Sequence, residues 1–474
     1  MMEKHPDTPV IQYLVSRTKR IFTHSEILWS LIFTGLRMGS GILVLPLALR
    51  KIPTAEMGIY YTFMSLSAMA MLLDFGMVGT IGRSASYAWG GASSFTGRGL
   101  PEHHGRAEPN RALLASLTHV TRTWYYVLAI VAGLLLALFG TFFINQRIRE
   151  AGLDPGMSLC WLFFAFVTAY SLGTAFWNQL LIGIGDVTNV GKYGVISQSF
   201  STAILVAGLL CGFKIWAYAV SLLIGPAICR YLARKQFLRL LDHPLPAVLS
   251  CPDLSVLKSL WPMTWRMGVS ILGIVLIQRG NILISSAFLG LEETAKYGLT
   301  LNLFSILFQL AGIPLYTVTP RIAQAYVRRD LGEVGRLFFM RAYGGLALAL
   351  LGAVMLVALG PQILVLIGSK TSMLPKCFAS ILFLILLLDT HQNHYTNLVL
   401  ASNENPFVLP TVLSGVCMIS LSLWVTPRFG LPGLLLSHGL VQLAWNHWWP
   451  VVRGLQVLKM TPGGIRHPAS PPAA

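Results

Sequence analysis

Two arginines are the groups in this sequence most able to do chemistry, because they lie inside strongly apolar segments. Arg37 is about ten residues into the first apolar segment, and Arg279 is at a similar depth in the seventh. At 1.5 Å per residue, each lies roughly 15 Å along its helix, near the middle of a membrane-spanning element. A charged side chain there costs about 2.5–3.5 kcal/mol, so each arginine needs either a partner or a function.

Two explanations of these arginines are open at this point. One is a structural contact: an ion pair, with Asp74 or Asp389 as the acidic partner, or bonds to backbone carbonyls. The other is a cationic cavity for a phosphate or another anion, because guanidinium stays charged and binds phosphate oxygens through two parallel hydrogen bonds. Small and polar neighbours of Arg37, including Ser40, allow one side of that helix to face water.

A polar stripe follows one face of the eighth apolar segment, where Asn302, Ser305 and Gln309 are spaced three and four residues apart. In the second segment, Thr62 and Ser65 form a weaker copy of this stripe. These side chains are candidates to line a substrate cavity with the two arginines. Hydrogen bonding between helices uses the same residue types and is the alternative explanation.

The tenth apolar segment carries Asp389, His391, Asn393 and His394, an unusually polar run for its depth. Carboxylates and imidazoles exchange protons or coordinate ions, so these four residues are candidates for an ion-coupling site. Plain hydrogen bonding between helices is the alternative. Two helical histidines are weak grounds for a metal site, and we expect neither a metal nor a cofactor.

The elements that position these residues are predicted to be membrane-spanning helices. Of the 474 residues, 54% are hydrophobic and only 11% are charged, whereas about 25% charged residues are usual in a soluble protein. Twelve apolar segments, some only with their flanks, reach the ~17–25 residues needed to cross a bilayer. They are Leu31–Leu49, Met57–Val78, Trp124–Ile144, Leu159–Ile182, Val195–Gly212, Ala217–Ile228, Val269–Leu289, Leu299–Val318, Leu337–Ile367, Phe378–Leu400, Phe407–Val425 and Leu431–Val451.

A duplicated motif divides these segments into two halves. Thr54–Gly58 and Thr294–Gly298 both read T-A-x-x-G at the start of an apolar segment, and an R-x-A follows each, at Arg83–Ala85 and Arg321–Ala323. Paired repeats of this kind are common in transporters. The sequence therefore predicts an all-α, polytopic membrane protein with about twelve transmembrane helices in two pseudo-symmetric six-helix bundles.

The predicted domain boundaries follow from these spans. Residues 1–25 are expected to be a cytoplasmic amphipathic segment, and 26–235 the N-terminal six-helix bundle. A cytoplasmic linker at 236–262 precedes the C-terminal bundle at 263–455, and 456–474 is expected to be a disordered tail.

The basic residues predict the orientation of the chain. One set of alternate loops holds 22 of the 35 Lys and Arg residues, and the opposite set holds nine. By the positive-inside rule, both termini are cytoplasmic. The net charge of +17 is then explained by topology and by contact with membrane lipids, so no nucleic-acid partner is expected.

Several short motifs carry a family resemblance. They are Gly58–Tyr60, Leu73–Gly76, Arg83–Ala85, Pro320–Arg321 and Phe429–Gly433. Over nearly its whole length the chain resembles the polysaccharide (Wzx-type) branch of the multidrug/oligosaccharidyl-lipid/polysaccharide flippase superfamily. The resemblance implies two six-helix bundles around a central cavity. It also implies movement of undecaprenyl-diphosphate-linked saccharides across the bacterial inner membrane for surface polysaccharide biosynthesis.

This resemblance places Arg37 and Arg279 in the cavity and implies a lipid-linked anionic saccharide as substrate, with a proton or cation as a candidate coupling ion. A cation-coupled multidrug or metabolite antiporter of the same superfamily is one alternative, but it is expected to carry a carboxylate in the first span. A polysaccharide polymerase or ligase is another, but that enzyme is expected to have a large outer loop. We therefore expect a transporter and not an enzyme.

Overall fold

A computed structural model describes residues 9–95, 108–246, 253–400 and 406–459, and every regular element among them is helical. The α-helices are α1 (Pro9–Lys51), α2 (Thr54–Ala70), α3 (Met77–Trp89), α4 (Arg111–Leu135), α5 (Thr141–Glu150), α6 (Met157–Thr174), α7 (Phe176–Gly183), α8 (Val187–Leu210), α9 (Ile215–Leu241), α10 (Leu254–Phe288), α11 (Gly290–Val327), α12 (Leu331–Ile367), α13 (Lys376–Leu400), α14 (Val408–Val441) and α15 (Trp449–Lys459). A 3₁₀ turn occupies Met71–Asp74, and π-helical turns occupy Leu136–Gly140 and Gln442–Asn446.

The helices account for the predicted number of spans. Nine described stretches are long and apolar enough to cross a membrane, and the bent pair α2–α3 makes a tenth. One of the nine, Val408–Leu458, has 51 residues and breaks at Gly430, and at about 77 Å it is long enough for two spans. Helix α13 is long enough for a further span, although its polar run lowers its hydropathy. The prediction of an all-α, polytopic membrane protein is therefore confirmed.

The surface of these helices is suited to lipid. Large apolar side chains such as Leu43, Phe142, Val365 and Leu366 are each more than 70% exposed. A soluble protein rarely leaves so much apolar surface in contact with water. In a bilayer the same surface contacts acyl chains at no such cost.

By their internal packing, the helices form two compact units. Unit 1 is drawn from residues 1–51, 73–142 and 156–268, and unit 2 from 52–72, 143–155 and 269–474, the undescribed gaps excepted. Helix α2 and the 143–155 segment therefore pack within unit 2, although both fall inside the predicted N-terminal bundle at 26–235. The two units are defined by internal packing and not by the order of the spans in the membrane. The predicted bundle boundaries therefore stay a prediction.

Within unit 1, small residues let α1 and α8 approach closely. A Cβ atom added at Gly191 would lie 2.9 Å from the Trp29 side chain, and one at Gly194 would lie 2.9 Å from the Phe33 ring. Close approach through glycine is how membrane helices gain van der Waals contact when lipid removes the hydrophobic driving force.

Within unit 2, the two copies of the repeated motif lie side by side. A Cβ at Gly58 on α2 would lie 1.9 Å from the carbonyl oxygen of Leu291, and one at Gly298 on α11 would lie 2.6 Å from the Tyr61 ring. The copies differ in their place on the helix. Thr54 is the first residue of α2, whereas Thr294 is in the second turn of α11, so the second copy does not open its helix as the sequence predicted.

The predicted connecting segments are only partly described. Helix α1 is continuous from Pro9, α9 extends to Leu241, and α15 extends to Lys459. Residues 1–8, 96–107, 247–252 and 460–474 lie outside the described residues. They include parts of the predicted amphipathic segment, the cytoplasmic linker and the tail.

Candidate functional site

Arg37 lies on α1 in unit 1 and is exposed. Its guanidinium is 5.9 Å from the centre of the Phe33 ring. The Ser40 hydroxyl donates to the Arg37 carbonyl at 2.9 Å, and the Gln198 amide donates to the Ser40 oxygen at 2.9 Å. Among the described residues, no carboxylate forms an ion pair with Arg37.

Arg279 lies on α10 in unit 2 and is partly buried. Tyr60 on α2 is close enough to interact with its charge. Within the described part of the chain, Arg279 also has no ion pair with a carboxylate. The ion-pair explanation of the two arginines is therefore not seen in the described residues.

The predicted cavity residues on α2 are fully buried. The Thr62 hydroxyl donates to the Gly58 carbonyl at 2.9 Å, one turn earlier on the same helix. The Ser65 hydroxyl has no hydrogen-bond partner among the described residues. Both side chains would reach a cavity only if α2 moved away from its neighbours.

The predicted stripe on α11 becomes more open along the helix. Asn302 and Ser305 are partly buried, whereas Gln309 is exposed. The Ser305 hydroxyl donates to the Leu301 carbonyl at 2.7 Å. The end of the stripe around Gln309 is the part best able to contact a substrate in this structure.

A buried cluster surrounds Asp389 on α13, and we call it the Asp389 cluster. One carboxylate oxygen is 2.8 Å from His447 Nε2 and accepts from the Gln442 amide at 3.0 Å. The other oxygen is 3.3 Å from His438 Nε2. The Asn446 amide in turn donates to the Gln442 side-chain oxygen at 2.6 Å, which fixes the orientation of the Gln442 amide.

The Asp389 cluster is composed of residue types that exchange protons or bind ions in other proteins. One carboxylate and two imidazoles share close contacts and are nearly inaccessible, with the carboxylate side chain 16% exposed. No lysine or arginine forms an ion pair with Asp389 among the described residues.

Further polar groups extend the cluster across unit 2. The Ser422 hydroxyl donates to Asn281 at 3.2 Å, and Tyr297 lies near both Asn281 and Asp389. Asn281 is two residues after Arg279 on α10, and such positions differ by about 200° around a helix. Arg279 therefore lies on the opposite side of α10 from this polar network.

The other three predicted ion-coupling residues lie apart from the cluster's polar contacts. His391 Nε2 is 3.2 Å from the Tyr343 hydroxyl, which in turn is 3.0 Å from the Tyr395 hydroxyl. His394 is buried, and neither of its ring nitrogens has a hydrogen-bond partner among the described residues. Asn393 is exposed. Of the four predicted residues, only Asp389 belongs to the cluster.

Sequence reasoning missed His438 and His447, and the helix geometry explains why. Nine residues apart on a regular α-helix, they would point in opposite directions, about 180° apart. The π-helical turn at Gln442–Asn446 lies between them and adds one residue to a turn, which reduces the difference to about 80°. The available signal was the density of polar residues late in an apolar segment, at His438, Gln442 and Asn446.

A second carboxylate, Asp74, lies at the break between α2 and α3 in unit 1. It accepts a short hydrogen bond from the Tyr125 hydroxyl, and its other oxygen accepts from the Val78 amide at 3.4 Å. Phe75 and Gly76 have positive φ values of 47° and 73°, a conformation that L side chains rarely adopt. Asp74 thus accepts a hydrogen bond from the second residue of α3, next to the break.

Comparisons with known proteins show the fold. No family model matches the sequence, and no curated protein sequence matches it closely. A multidrug resistance MATE family transporter of the MOP superfamily in an inward-facing conformation matches with a TM-score of 0.60 at 12% identity, over 91% of this chain and 99% of that one. An outward-facing conformation of such a transporter matches with a TM-score of 0.53 at 13% identity, over 92% and 96% of the two chains.

A third solved structure is a MOP superfamily transporter from Pyrococcus furiosus, whose binding pocket of reverse polarity suggests a different function for it. It matches with a TM-score of 0.54 at 12% identity, over 92% of this chain and 96% of that one. The chain therefore has the fold of the MOP superfamily transporters over nearly its whole length.

Proposed function

We propose that this protein is a flippase that moves an undecaprenyl-diphosphate-linked oligosaccharide across the bacterial inner membrane for surface polysaccharide biosynthesis. In this proposal both termini are cytoplasmic. The observation that carries it is the distribution of charge inside the spans. Arg37 and Arg279 have no carboxylate partner among the described residues, whereas Asp74 accepts a hydrogen bond from Tyr125 and Asp389 contacts two imidazoles. The two arginines are therefore the charged side chains assigned to bind a substrate, and both are positive.

The two arginines are assigned to the diphosphate of the substrate. Guanidinium keeps its charge in a low-dielectric path and binds phosphate oxygens through two parallel bonds. The polar stripe of Asn302, Ser305 and Gln309 offers hydrogen bonds to saccharide hydroxyls, as do Ser40, Thr62 and Ser65 when they are accessible. The reverse pocket polarity described for the Pyrococcus furiosus protein supports a range of substrate charges on this fold.

The Asp389 cluster is assigned to energy coupling. Binding of a proton at this cluster would change the charge inside unit 2. His391, Asn393 and His394 follow Asp389 on α13 and are secondary candidates for the same role. In this proposal the coupling ion is a proton.

A cation-coupled multidrug antiporter is the second candidate function. It is favoured by the solved structures, because several of those that match are multidrug resistance MATE family transporters. A buried carboxylate cluster is compatible with it as well. Arg37 counts against it, since a positive charge in the first span repels a cationic drug.

Flux in proteoliposomes separates the two functions. The probes are a fluorescent undecaprenyl-diphosphate-linked sugar, quenched from one side by dithionite, and the cation ethidium. The flippase proposal expects transbilayer movement of the lipid-linked sugar, its chemical structure unchanged, at least tenfold faster than in protein-free vesicles. Uptake of ethidium with no acceleration of the lipid-linked sugar would overturn it in favour of the antiporter.

A further inference from the structure

A buried arginine helps to hold the 143–155 segment, which follows α4, in unit 2. Arg147 on α5 has a side chain that is only 7% exposed. Its Nη1 donates to the carbonyls of Ser286 and Ala287 at 3.1 and 2.6 Å. Its Nη2 donates to Glu150 at 2.9 Å, and Nη1 lies 2.7 Å from the other Glu150 oxygen.

These bonds are made at a corner between helices. Helix α10 ends at Phe288 and α11 begins at Gly290, which has a φ of +83°. The last four carbonyls of a helix have no partner within it, and a cation there also complements the helix dipole. Arg147 therefore caps α10 from a segment more than a hundred residues earlier in the chain.

The capped corner borders a cavity of about 340 Å³ within unit 2. Its lining includes Ala55, Arg147, Glu150, Ser286 and Leu289–Glu293. Ser286 is fully buried, and its hydroxyl has no hydrogen-bond partner among the described residues. The Nε of Arg147 is also buried without a partner in that part of the chain. Ser286 and Arg147 thus form the buried inner wall of a cavity whose outer lining, including Glu150 and Glu292, is exposed.

We propose that the 143–155 segment is a lid over this cavity and that Arg147 is its latch. While the Arg147 bonds hold, Ser286 is sealed from the aqueous phase on that face of the membrane. When they break, the segment moves away and Ser286 becomes accessible to water through the cavity. The role of such a lid as a gate rests on the proposed transporter function, but its opening is measurable without a substrate.

Thiol accessibility tests the lid. The six native cysteines are replaced by serine, Ser286→Cys is introduced, and the protein in lipid nanodiscs reacts with a membrane-impermeant maleimide. With the latch intact, we expect slow labelling of the cysteine. Arg147→Gln should raise the labelling rate about tenfold, because the open state becomes more populated. Arg147→Lys keeps the charge but loses the planar guanidinium that donates to several acceptors at once, so it should give an intermediate rate.

Arg149→Gln is the matched control. Arg149 is in the same helix with the same charge, but it is exposed, and its Nε donates to the Asn145 carbonyl one turn earlier. A monodisperse Arg147→Gln protein labelled no faster than Arg149→Gln would overturn the latch. If Arg147→Gln does not fold, Glu150→Gln replaces it, with an expected rise of about threefold. Labelling equal to the control would again overturn the proposal.

The same experiment separates the lid from the proposed function. Labelling needs no lipid-linked sugar, so a protein that fails to move that substrate still reports on the latch. Faster labelling in Arg147→Gln with no sugar flux in the parent protein would keep the lid and reject the flippase. Normal flux with unchanged labelling would reject the lid alone.

Discussion

Each unit holds one partly buried carboxylate within a predicted span, and these two carboxylates, Asp74 and Asp389, have different partners. In unit 1, Asp74 accepts hydrogen bonds from the Tyr125 hydroxyl and the Val78 amide at a helix break. In unit 2, Asp389 contacts two imidazoles, His438 and His447. A phenol and an amide donate hydrogen bonds near neutral pH, whereas an imidazole also takes up a proton.

We therefore expect the two carboxylates to have different roles. We expect Asp74 to have a structural role, because its partners are a phenol and a backbone amide in the first turn of α3. We expect Asp389 to take part in coupling, because two imidazoles contact its carboxylate. Burial of a carboxylate in a span does not by itself identify a coupling site. The titratable partners do.

The largest expected effect separates these two carboxylates. Asp389→Asn removes the acid from the cluster and should reduce proton-driven flux of the lipid-linked sugar about 100-fold, the lower range for loss of an acid–base group. Asp74→Asn should change flux less than threefold and lower the free energy of unfolding by about 1 kcal/mol. Flux in proteoliposomes and denaturant titration in detergent measure both. Equal losses of flux would contradict the division of roles.

The two copies of the repeated motif give the next contrast. A Cβ at Gly58 would meet the backbone oxygen of Leu291 at 1.9 Å, whereas one at Gly298 would meet the movable Tyr61 ring at 2.6 Å. Overpacking costs about 1–3 kcal/mol, and replacing a helical glycine by alanine returns about 1 kcal/mol. Gly58→Ala should therefore destabilise the protein by about 2 kcal/mol.

Gly298→Ala is the matched variant and should leave stability within about 1 kcal/mol of the parent protein. Melting temperatures in detergent, at matched monodispersity, compare the two. A larger loss in Gly298→Ala than in Gly58→Ala would show that the contact between α2 and α11 is not as described.

The smallest expected effect tests which histidines belong to the coupling site. His447→Gln should lower proton-driven flux about tenfold, because a ring nitrogen that contacts Asp389 is lost. His391→Gln should change flux less than twofold, since His391 contacts Tyr343 and Tyr395 instead. Flux measured at several pH values distinguishes them. A greater loss in His391→Gln would move the coupling site toward that face of α13.

The spans could be predicted from the sequence, because the length of an apolar run is set directly by bilayer thickness. Asp389 could be found as well, since a carboxylate deep in a span is conspicuous. His438 and His447 could not, because a π-helical turn changes which residues share a face. The role of Arg147 could not be found either, because its bonds to the end of α10 join segments that are far apart in sequence.

The central claim is that positive side chains bind an anionic substrate. Replacing the two arginines tests this claim most directly. Arg37→Ala, Arg279→Ala, the corresponding Lys variants and Arg428→Ala are compared for flux of the lipid-linked sugar at matched protein level. Arg428 is an exposed arginine that donates to the Trp424 carbonyl on its own helix, so it is the control. The account predicts the largest loss in the two Ala variants, partial loss with Lys, and none in Arg428→Ala. Wild-type flux in both Arg37→Ala and Arg279→Ala would contradict it.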